Sequence, residues 1–414
     1  MRSTLRTRAG NRVPAGFSPK DVGIDRFFFF FLGFKAKFQQ FPYDFLVREL
    51  DQKQHPIQLV DACDPWQLLD FAKGNKDEHV WFTLVKREQT TPEALAKVAR
   101  CFQVSPKIFS FCGMKDRWGI TTQRVSFAAD DLKDVRPQDL VPLEGLNESF
   151  IKLGDLESKS SKARLGGHGG NCFTVVLRDL SYREENDVFD SFEELKRGGF
   201  PNYFGMQRFG TGHEPSSVMG RALLQGQVKE LAMMALGARA RHGKSLEAFQ
   251  EASLGRYASA LDMIPPSCLQ ERAVLQHLVQ EPDDFQGAIK ALPRHLRLLW
   301  CRSLASHLWN RLLSLRIEHQ MMKPLPGDLV VNDVSDTSVR CLSDGEEKDT
   351  ELSSILLPVP GYEVMLPQNA TAEIYQEVLK EMKLNEVFRK PEDADAIWMS
   401  GDYRPAICHV SKLS

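Results

Sequence analysis

The segment from residue 79 to residue 127 limits the possible fold more than any other part of the chain. It opens with a run rich in β-formers, His79–Val85. Thr91–Glu93 then predicts the start of a helix, with the threonine as its cap and proline at its first position. After a turn at Gly113, the alternating residues Thr121–Phe127 predict a further strand. Strands and a helix in this order predict a mixed layer of helices and sheet.

The rest of the chain divides by its pattern. Residues 34–50 and 172–178 read as strands, the latter preceded by the glycine cluster Gly166–Gly170. From about 215 to 320 apolar residues recur at helical spacing, which predicts a helical insertion or second domain. A further helix is expected near 372–383.

Composition and charge exclude some classes of protein. No apolar stretch reaches the roughly 18–20 residues that a membrane span requires, so a soluble protein is expected. The net charge of −2 provides no global basic field, so a nucleic acid would have to be held by local basic surfaces.

The sequence contains no motif that indicates a metal or nucleotide cofactor. None of the eight cysteines forms a Cys-x-x-Cys pair, and the ten histidines show no metal-ligand spacing, so reduced thiols and no metal site are expected. The stretch Gly237–Ser245 resembles a phosphate-binding loop but has one residue too many and follows a helical stretch rather than a strand.

The turn Gly113–Asp116 is the strongest candidate for chemistry. Glycine permits a positive φ and the close approach of another backbone. Lys115, next in sequence to Asp116, would favour the ionised carboxylate, and an ionised aspartate on such a loop could act as nucleophile or base. On these residues alone, a surface ion pair at a turn is the competing interpretation.

Several blocks in one order resemble a known family. Residues 104–126 resemble the signature of TruD-type RNA pseudouridine synthases, Gly-x-Lys-Asp followed by Thr-x-Gln. Asp44–Glu49 resembles the family's Asp-Phe-x-Val-x-Glu strand, and Arg164–Phe173 its Leu-Gly…Gly-Asn-x-Phe motif. Pro201–Gly210 matches Asn-Tyr-Phe-Gly-x-Gln-Arg-Phe-Gly almost without change. With weaker matches further on, the resemblance, which is to the eukaryotic branch, covers about residues 21–405.

The resemblance implies an α+β fold. A mixed, largely antiparallel pseudouridine synthase sheet domain would span 21–214, and a mainly helical TruD insertion domain would span 215–365. Residues 1–20 would be a basic tail or targeting segment. Residues 366–414 would be a truncated C-terminal segment, because the family's catalytic domain continues with a strand and a helix beyond the position where this chain ends.

The resemblance also implies an activity and its residues. Family members isomerise uridine in RNA to pseudouridine without cofactor or metal. Asp116 would be the catalytic aspartate, which either attacks sugar or base covalently or removes a sugar proton to give a glycal. Lys115 would support its charge, Asn171 would hydrogen-bond the base, Phe173 would stack on it, and Phe45 would form a second apolar wall. For both phenylalanines a core position on a strand is the alternative.

RNA also requires contacts with its backbone. Residues 285–317 contain six arginines and lysines and no acid: Lys290, Arg294, Arg297, Arg302, Arg311 and Arg316. On a helix that starts after Pro293 several of them would share a face, and Lys290, Arg294, Arg297 and Arg302 are predicted to contact phosphates. A solvated helix face is the alternative, although it usually alternates charge signs.

The expected partner is therefore RNA, tRNA first and mRNA or other RNAs as further candidates, bound by a monomer without membrane or nucleotide cofactor. Departures from the family pattern at Gln39, Trp118, Gly119 and Ala305, and the end of the chain ten residues after Arg404, motivate a second hypothesis. It is a catalytically impaired RNA-binding protein of TruD ancestry. The basic N-terminus leaves the location open between nucleus or cytoplasm and, as the alternative, the mitochondrion.

Overall fold

The computed structural model describes residues 17–26, 35–75, 77–142, 150–181, 185–210, 214–238, 243–333, 336–385 and 399–409. These residues form two compact units. The first contains the described residues from 35 to 181, and the second contains residues 17–26 with those from 185 onward. Most of the predicted basic tail, 1–20, lies outside the described residues. No helix in the described ranges is long and apolar enough to cross a membrane.

The first unit is built on a mixed sheet. Its elements are β1 (Lys35–Phe38), β2 (Phe45–Leu50), β3 (Ala62–Cys63), α1 (Pro65–Gly74), β4 (His79–Arg87), α2 (Thr91–Cys101), β5 (Ser110–Phe111), β6 (Ile120–Ala128), β7 (Ile151–Lys159), β8 (Gly170–Val175) and β9 (Leu177–Ser181). The main sheet has the order β3-β7-β4-β6-β2-β8, with β5 also paired to β6, while β1 and β9 form a separate ribbon. Strands β2 and β6 are parallel, and the other pairings of the main sheet are antiparallel.

Strand β4 sets the position of the core. Its residues Val80, Phe82 and Leu84 alternate onto one face and are fully buried with apolar residues of α1 and α2. The cap of α2 corrects the sequence prediction by one residue, because the side chain of Thr90 accepts the hydrogen bond from the Glu93 amide while Thr91 is already helical. Thr91 is thereby free to bond elsewhere.

The second unit is mainly helical. Its elements are α3 (Glu185–Gly198), β10 (Phe200–Pro201), α4 (Ser216–Leu224), α5 (Val228–Gly237), α6 (Lys244–Ser253), α7 (Tyr257–Met263), α8 (Leu269–Gln280), α9 (Phe285–Lys290), α10 (Arg294–Glu318), β11 (Leu329–Asp333), β12 (Asp336–Cys341), β13 (Leu356–Val359), α11 (Ala370–Glu381), β14 (Asp402–Pro405) and β15 (Ile407–Cys408). Strands β12, β11, β13 and β14 form an antiparallel sheet, and β10 pairs with β15. The predicted helical region and the predicted helix near 372–383 are confirmed.

Helix α10 organises the second unit through buried polar bonds. The Asn310 amide donates to the Val22 carbonyl, and the Ser314 hydroxyl donates to the Gly23 carbonyl at 2.7 Å, so residues 17–26 lie against this helix. Arg316 forms a two-pronged ion pair with Asp328 at 2.8 and 2.6 Å, with both side chains buried. The same guanidinium donates to the Thr371 hydroxyl.

These pairs correct the picture of α10 as a one-sided basic helix. Arg316 is compensated by Asp328, and Arg311 pairs with Asp25 and Glu381. Asp25 and Glu381 come from distant parts of the chain, and Asp328 lies twelve residues beyond Arg316. All three acids therefore fall outside the acid-free stretch 285–317.

The predicted α+β class with a mixed, largely antiparallel sheet is confirmed. One predicted strand, 172–178, is interrupted at Val176, where β8 ends and the chain continues into β9 in a different sheet. The compact units divide the chain between residues 184 and 185 rather than at the proposed bounds 21–214, 215–365 and 366–414. Compactness alone does not define functional domains, so those bounds stay predictions.

Substituting Arg316 by methionine should destabilise the second unit by about 3–5 kcal/mol, because Asp328 would be left as a buried, unpaired carboxylate. Urea denaturation followed by circular dichroism measures the change. Adding Asp328→Asn should recover part of the loss. An Arg316→Met protein as stable as wild type would contradict the assignment of this pair as a structural link.

Candidate active site

The segment Cys112–Gly119 crosses the face of the main sheet that also packs against α1 and α2. Along this face, Lys86, Thr121, Val47 and Phe173 are directly paired across β4, β6, β2 and β8, so their side chains form one row. Lys86 follows the core residues Val80, Phe82 and Leu84 at the same alternation. The site therefore begins where the apolar core of this face ends.

The Lys86 ammonium holds the backbone of this segment. It is 1% exposed and donates to the carbonyls of Gln89 at 2.7 Å, Asp116 at 2.7 Å and Lys115 at 3.4 Å. Burial lowers the pKa of Lys86 from 10.5 to about 8, an effect partly offset by Asp116 and Glu93 and reinforced by Lys115. A buried ammonium is costly unless its donors are satisfied, and here backbone carbonyls satisfy them.

Lys115 has a different partner from the one its sequence position suggested. Its ammonium lies 2.8 Å from the Glu49 carboxylate on β2, and both side chains are only 3% exposed. Glu49 also accepts a hydrogen bond from the Arg124 amide of β6. This lysine therefore anchors the loop to the sheet. The prediction that it supports the Asp116 charge is tested by no contact among the described residues and stays a prediction. Its predicted contact with substrate stays a prediction.

A chain of hydrogen bonds fixes the other end of the loop. The Thr91 hydroxyl accepts from the Lys115 amide at 3.1 Å and donates to the Gln123 side chain at 2.8 Å. The Gln123 amide group in turn donates to the Gly113 carbonyl at 3.1 Å. The backbone is thus bonded by a buried side chain at Gly113, Lys115 and Asp116.

The glycine requirement falls on Gly119 rather than on Gly113. Gly119 has a φ of 125°, and a Cβ there would lie 2.3 Å from the Phe45 carbonyl oxygen. Gly113 is not among the residues with positive φ. The loop therefore makes its close approach at its end, where it enters β6.

Asp116 itself is half-buried. Among the described residues no side chain forms an ion pair or a hydrogen bond with its carboxylate, whereas Glu49 and Glu93 nearby are both paired. The loop thus presents one uncommitted carboxylate on a fixed backbone.

The aromatic residues lie on the same face. The Phe45 and Phe173 rings are 5.9 Å apart, and Phe173 is 55% exposed on the edge strand β8. Asn171 is exposed and paired with Glu49 across β2 and β8. A small pocket beside Phe45 is further lined by Phe41 and Trp118. The face therefore offers ring surfaces and an amide near the loop that carries Asp116.

Comparison with known proteins identifies the family. The chain matches the family model "tRNA pseudouridine synthase D (TruD)" over residues 21–414. It belongs to the TruD family.

Relatives in this family come from eukaryotes and archaea. The TruD chain is 31% identical to "Pseudouridylate synthase 7 homolog" of Mus musculus, covering 83% of this chain and 52% of that protein. It is 29% identical to "Multisubstrate pseudouridine synthase 7" of Schizosaccharomyces pombe, covering 89% and 57%. With "Probable tRNA pseudouridine synthase D" of Methanosarcina acetivorans the identity is 24%, covering 88% and 82%. The chain thus spans only about half the length of the eukaryotic relatives.

A solved structure shares the fold. The crystal structure of a putative tRNA pseudouridine synthase D (TruD) from Methanosarcina mazei superposes with a TM-score of 0.69 at 22% identity. The match covers 94% of this chain and 88% of that one. This likeness supports the TruD fold.

The structure brings five residues of the TruD motifs onto one face of the main sheet: Phe45, Lys115, Asp116, Asn171 and Phe173.

The residues predicted to contact RNA phosphates belong to the second unit, at the end of α9 and along α10. Lys290, Arg294 and Arg302 are exposed, and Arg297 is half-buried with its Nε donating to the Leu292 carbonyl. Their contact with RNA stays a prediction.

Sequence reasoning missed Lys86, Thr91 and Gln123 as parts of the site. A signal for Lys86 existed: it occupies the inward position of β4 after Val80, Phe82 and Leu84, where a charged residue needs a buried partner. Thr91 was interpreted as a helix cap. The sequence did not show the partner of Gln123.

Lys86 should make stability rise with pH between about 8 and 10.5. In this window the unfolded chain binds a proton at Lys86 that the folded chain has released, so the free energy of unfolding gains about 1.4 kcal/mol per pH unit from this group. The Lys86→Met protein lacks that contribution. Urea denaturation across the window measures the slopes, with the exposed Lys133→Met as control.

Equal slopes in wild type and Lys86→Met would contradict the buried ammonium. Hydrogen exchange provides a second readout, because the amides of residues 113–117 should exchange faster in Lys86→Met but not in Lys133→Met.

Proposed function

We propose that this chain isomerises uridine to pseudouridine in RNA, with tRNA as the first substrate, and that Asp116 is the catalytic residue. The observation that carries the proposal is the uncommitted Asp116 carboxylate on a backbone fixed by Lys86, Thr91 and the Glu49–Lys115 pair. Membership of the TruD family and the names of its relatives support the same activity.

The reaction suits a single carboxylate. The glycosidic bond from the sugar to N1 breaks, the uracil turns, and a bond from the same sugar carbon to C5 forms. The proton on C5 leaves to solvent, and N1 ends with a proton, so every other atom is retained. Asp116 acts on the sugar or base in the cleavage step, and no cofactor is required.

The target base must leave its stack to reach a carboxylate on this face. Phe173 presents an exposed ring on which a flipped base can stack, Phe45 backs it, and the Asn171 amide can hydrogen-bond a base edge. Because the loop is already fixed, the carboxylate needs no further ordering when substrate binds. This pre-positioning can lower the activation free energy substantially.

Release of tritium from tRNA labelled at uridine C5 tests the activity. Asp116→Ala should release none while it binds tRNA as wild type does, and Asp70→Ala, which removes an exposed aspartate of α1, should be active. Wild-type protein that binds tRNA without release would contradict the proposal and favour an impaired RNA-binding protein. Full activity in Asp116→Ala would contradict the role of Asp116.

Phe173→Ala should lower kcat/KM by about tenfold or more, because base stacking on an aromatic ring contributes about 1–3 kcal/mol. Its stability should change little, since the ring is more than half exposed. Phe173→Tyr should retain most of the rate. Phe189→Ala, at an exposed phenylalanine of α3, is the matched control, and an equal loss there would sink the stacking role.

A further inference from the structure

Three arginines from separate segments are connected in the second unit, Arg208 with Arg404 through the Phe204 ring and Arg208 with Arg302 through Ser306. Arg208 lies in the helical turn Met206–Phe209, Arg302 on α10 and Arg404 on β14. Only Arg302 was predicted to face RNA, so the group as a whole is a product of the fold.

Arg404 is held rigidly. Its guanidinium lies 4.2 Å from the centre of the Phe204 ring and 5.5 Å from that of Trp309. Two of its nitrogens donate to Asn202, one to the backbone carbonyl and one to the side-chain oxygen. The plane of the group is therefore fixed before any ligand arrives.

Arg208 is tied to the same ring and to α10. Its guanidinium lies 5.7 Å from the centre of the Phe204 ring, and its Nε donates to the Ser306 hydroxyl. That hydroxyl donates to the carbonyl of Arg302, one turn earlier on the helix. Arg302 itself is exposed and has no side-chain hydrogen bond among the described residues.

Within the described ranges the three cations have no carboxylate partner in an ion pair, although Arg311 and Arg316 of the same helix both have one. Partial burial of its guanidinium, and then the charge of Arg302, lower the pKa of Arg208. Burial lowers the pKa of Arg404, with Arg208 adding to the effect and Cys408 and Asp402 opposing it. Binding of an anion would reduce the electrostatic repulsion among these like charges.

We propose that Arg208, Arg302 and Arg404 form one binding site for a backbone phosphodiester of the RNA substrate. The planar, multi-donor guanidinium groups suit the oxygens of a phosphate. Both Nη atoms of Arg208 and Nη1 of Arg404 have no acceptor among the described residues, so they are available to such oxygens. The proposal rests on the proposed function for the identity of the RNA.

Binding of a tRNA transcript at several salt concentrations tests the site. All proteins carry Asp116→Ala, so turnover does not affect the readout. Arg302→Ala and Arg208→Ala should each weaken binding about tenfold. Because they share one phosphate, the slope of log K against log salt should fall in both variants, and by no more than about one even in the double variant. Because both act on one phosphate, the double variant should lose less than the product of the two effects.

The matched control is Arg256→Ala, which removes an exposed arginine already paired with Glu251. Unchanged affinity and slope in Arg302→Ala and Arg208→Ala, as in this control, would overturn the proposal, and so would fully multiplicative losses in the double variant. The melting temperature of each variant shows whether it is folded. Arg302→Ala should change it least, because the Arg302 side chain makes no hydrogen bond among the described residues.

Inorganic phosphate distinguishes a free anion from an RNA backbone. Phosphate that raises the melting temperature of the parent but not of Arg302→Ala, with equal tRNA affinity in both, would overturn the assignment to RNA. Failure of the proposed function is a separate result, namely tRNA binding without tritium release by protein with Asp116 intact.

Discussion

The buried ammonium of Lys86 connects the sheet of the first unit to the loop that carries Asp116. Its charge cannot be hydrated at 1% exposure, so it needs acceptors, and the loop backbone supplies them at 2.7 Å. The dependence is mutual, because the loop carbonyls accept the hydrogen bonds of the ammonium and the ammonium holds the loop in place. Without it, the Asp116 carboxylate would move with a loop fixed only by Thr91, Gln123 and the Glu49–Lys115 pair.

Burial decides which charges serve structure and which are open to a ligand. Lys115 and Arg316 are buried and each meets a carboxylate from elsewhere in its own unit. Asp116 is half-buried, Arg208 and Arg302 are exposed, and none of the three has an ionic partner within the described residues. An unpaired charge near the surface costs little in the free protein because water solvates it, and it stays available for substrate.

Sequence reasoning succeeded where the signal was local. The strands around His79–Val85 and Thr121–Phe127 and the helices from 215 to 320 follow from periodicity, and the motif blocks led to the TruD family. It failed by one residue at the cap of α2, since Thr90 and Thr91 are equally good caps by composition. It also joined β8 and β9 into one strand, because valine is a good strand former and nothing at Val176 indicates that the chain changes sheet there. The ion pair of Lys115 with Glu49 was not predicted, because Glu49 lies far from Lys115 in the sequence.

The sequence by itself determined the strands around His79–Val85 and Thr121–Phe127, the helical character of 215–320, the family and the candidate aspartate. Each of these depends on residues close together in the chain or on a fixed motif. Tertiary structure alone decided that Lys86 lies under Asp116, that Lys115 reaches Glu49, and that Arg208 and Arg404 join Arg302. These contacts depend on strand register and on packing between segments up to two hundred residues apart. A lysine or arginine can pair equally well with any carboxylate, so the folded geometry, which sets the group within reach, decides its partner.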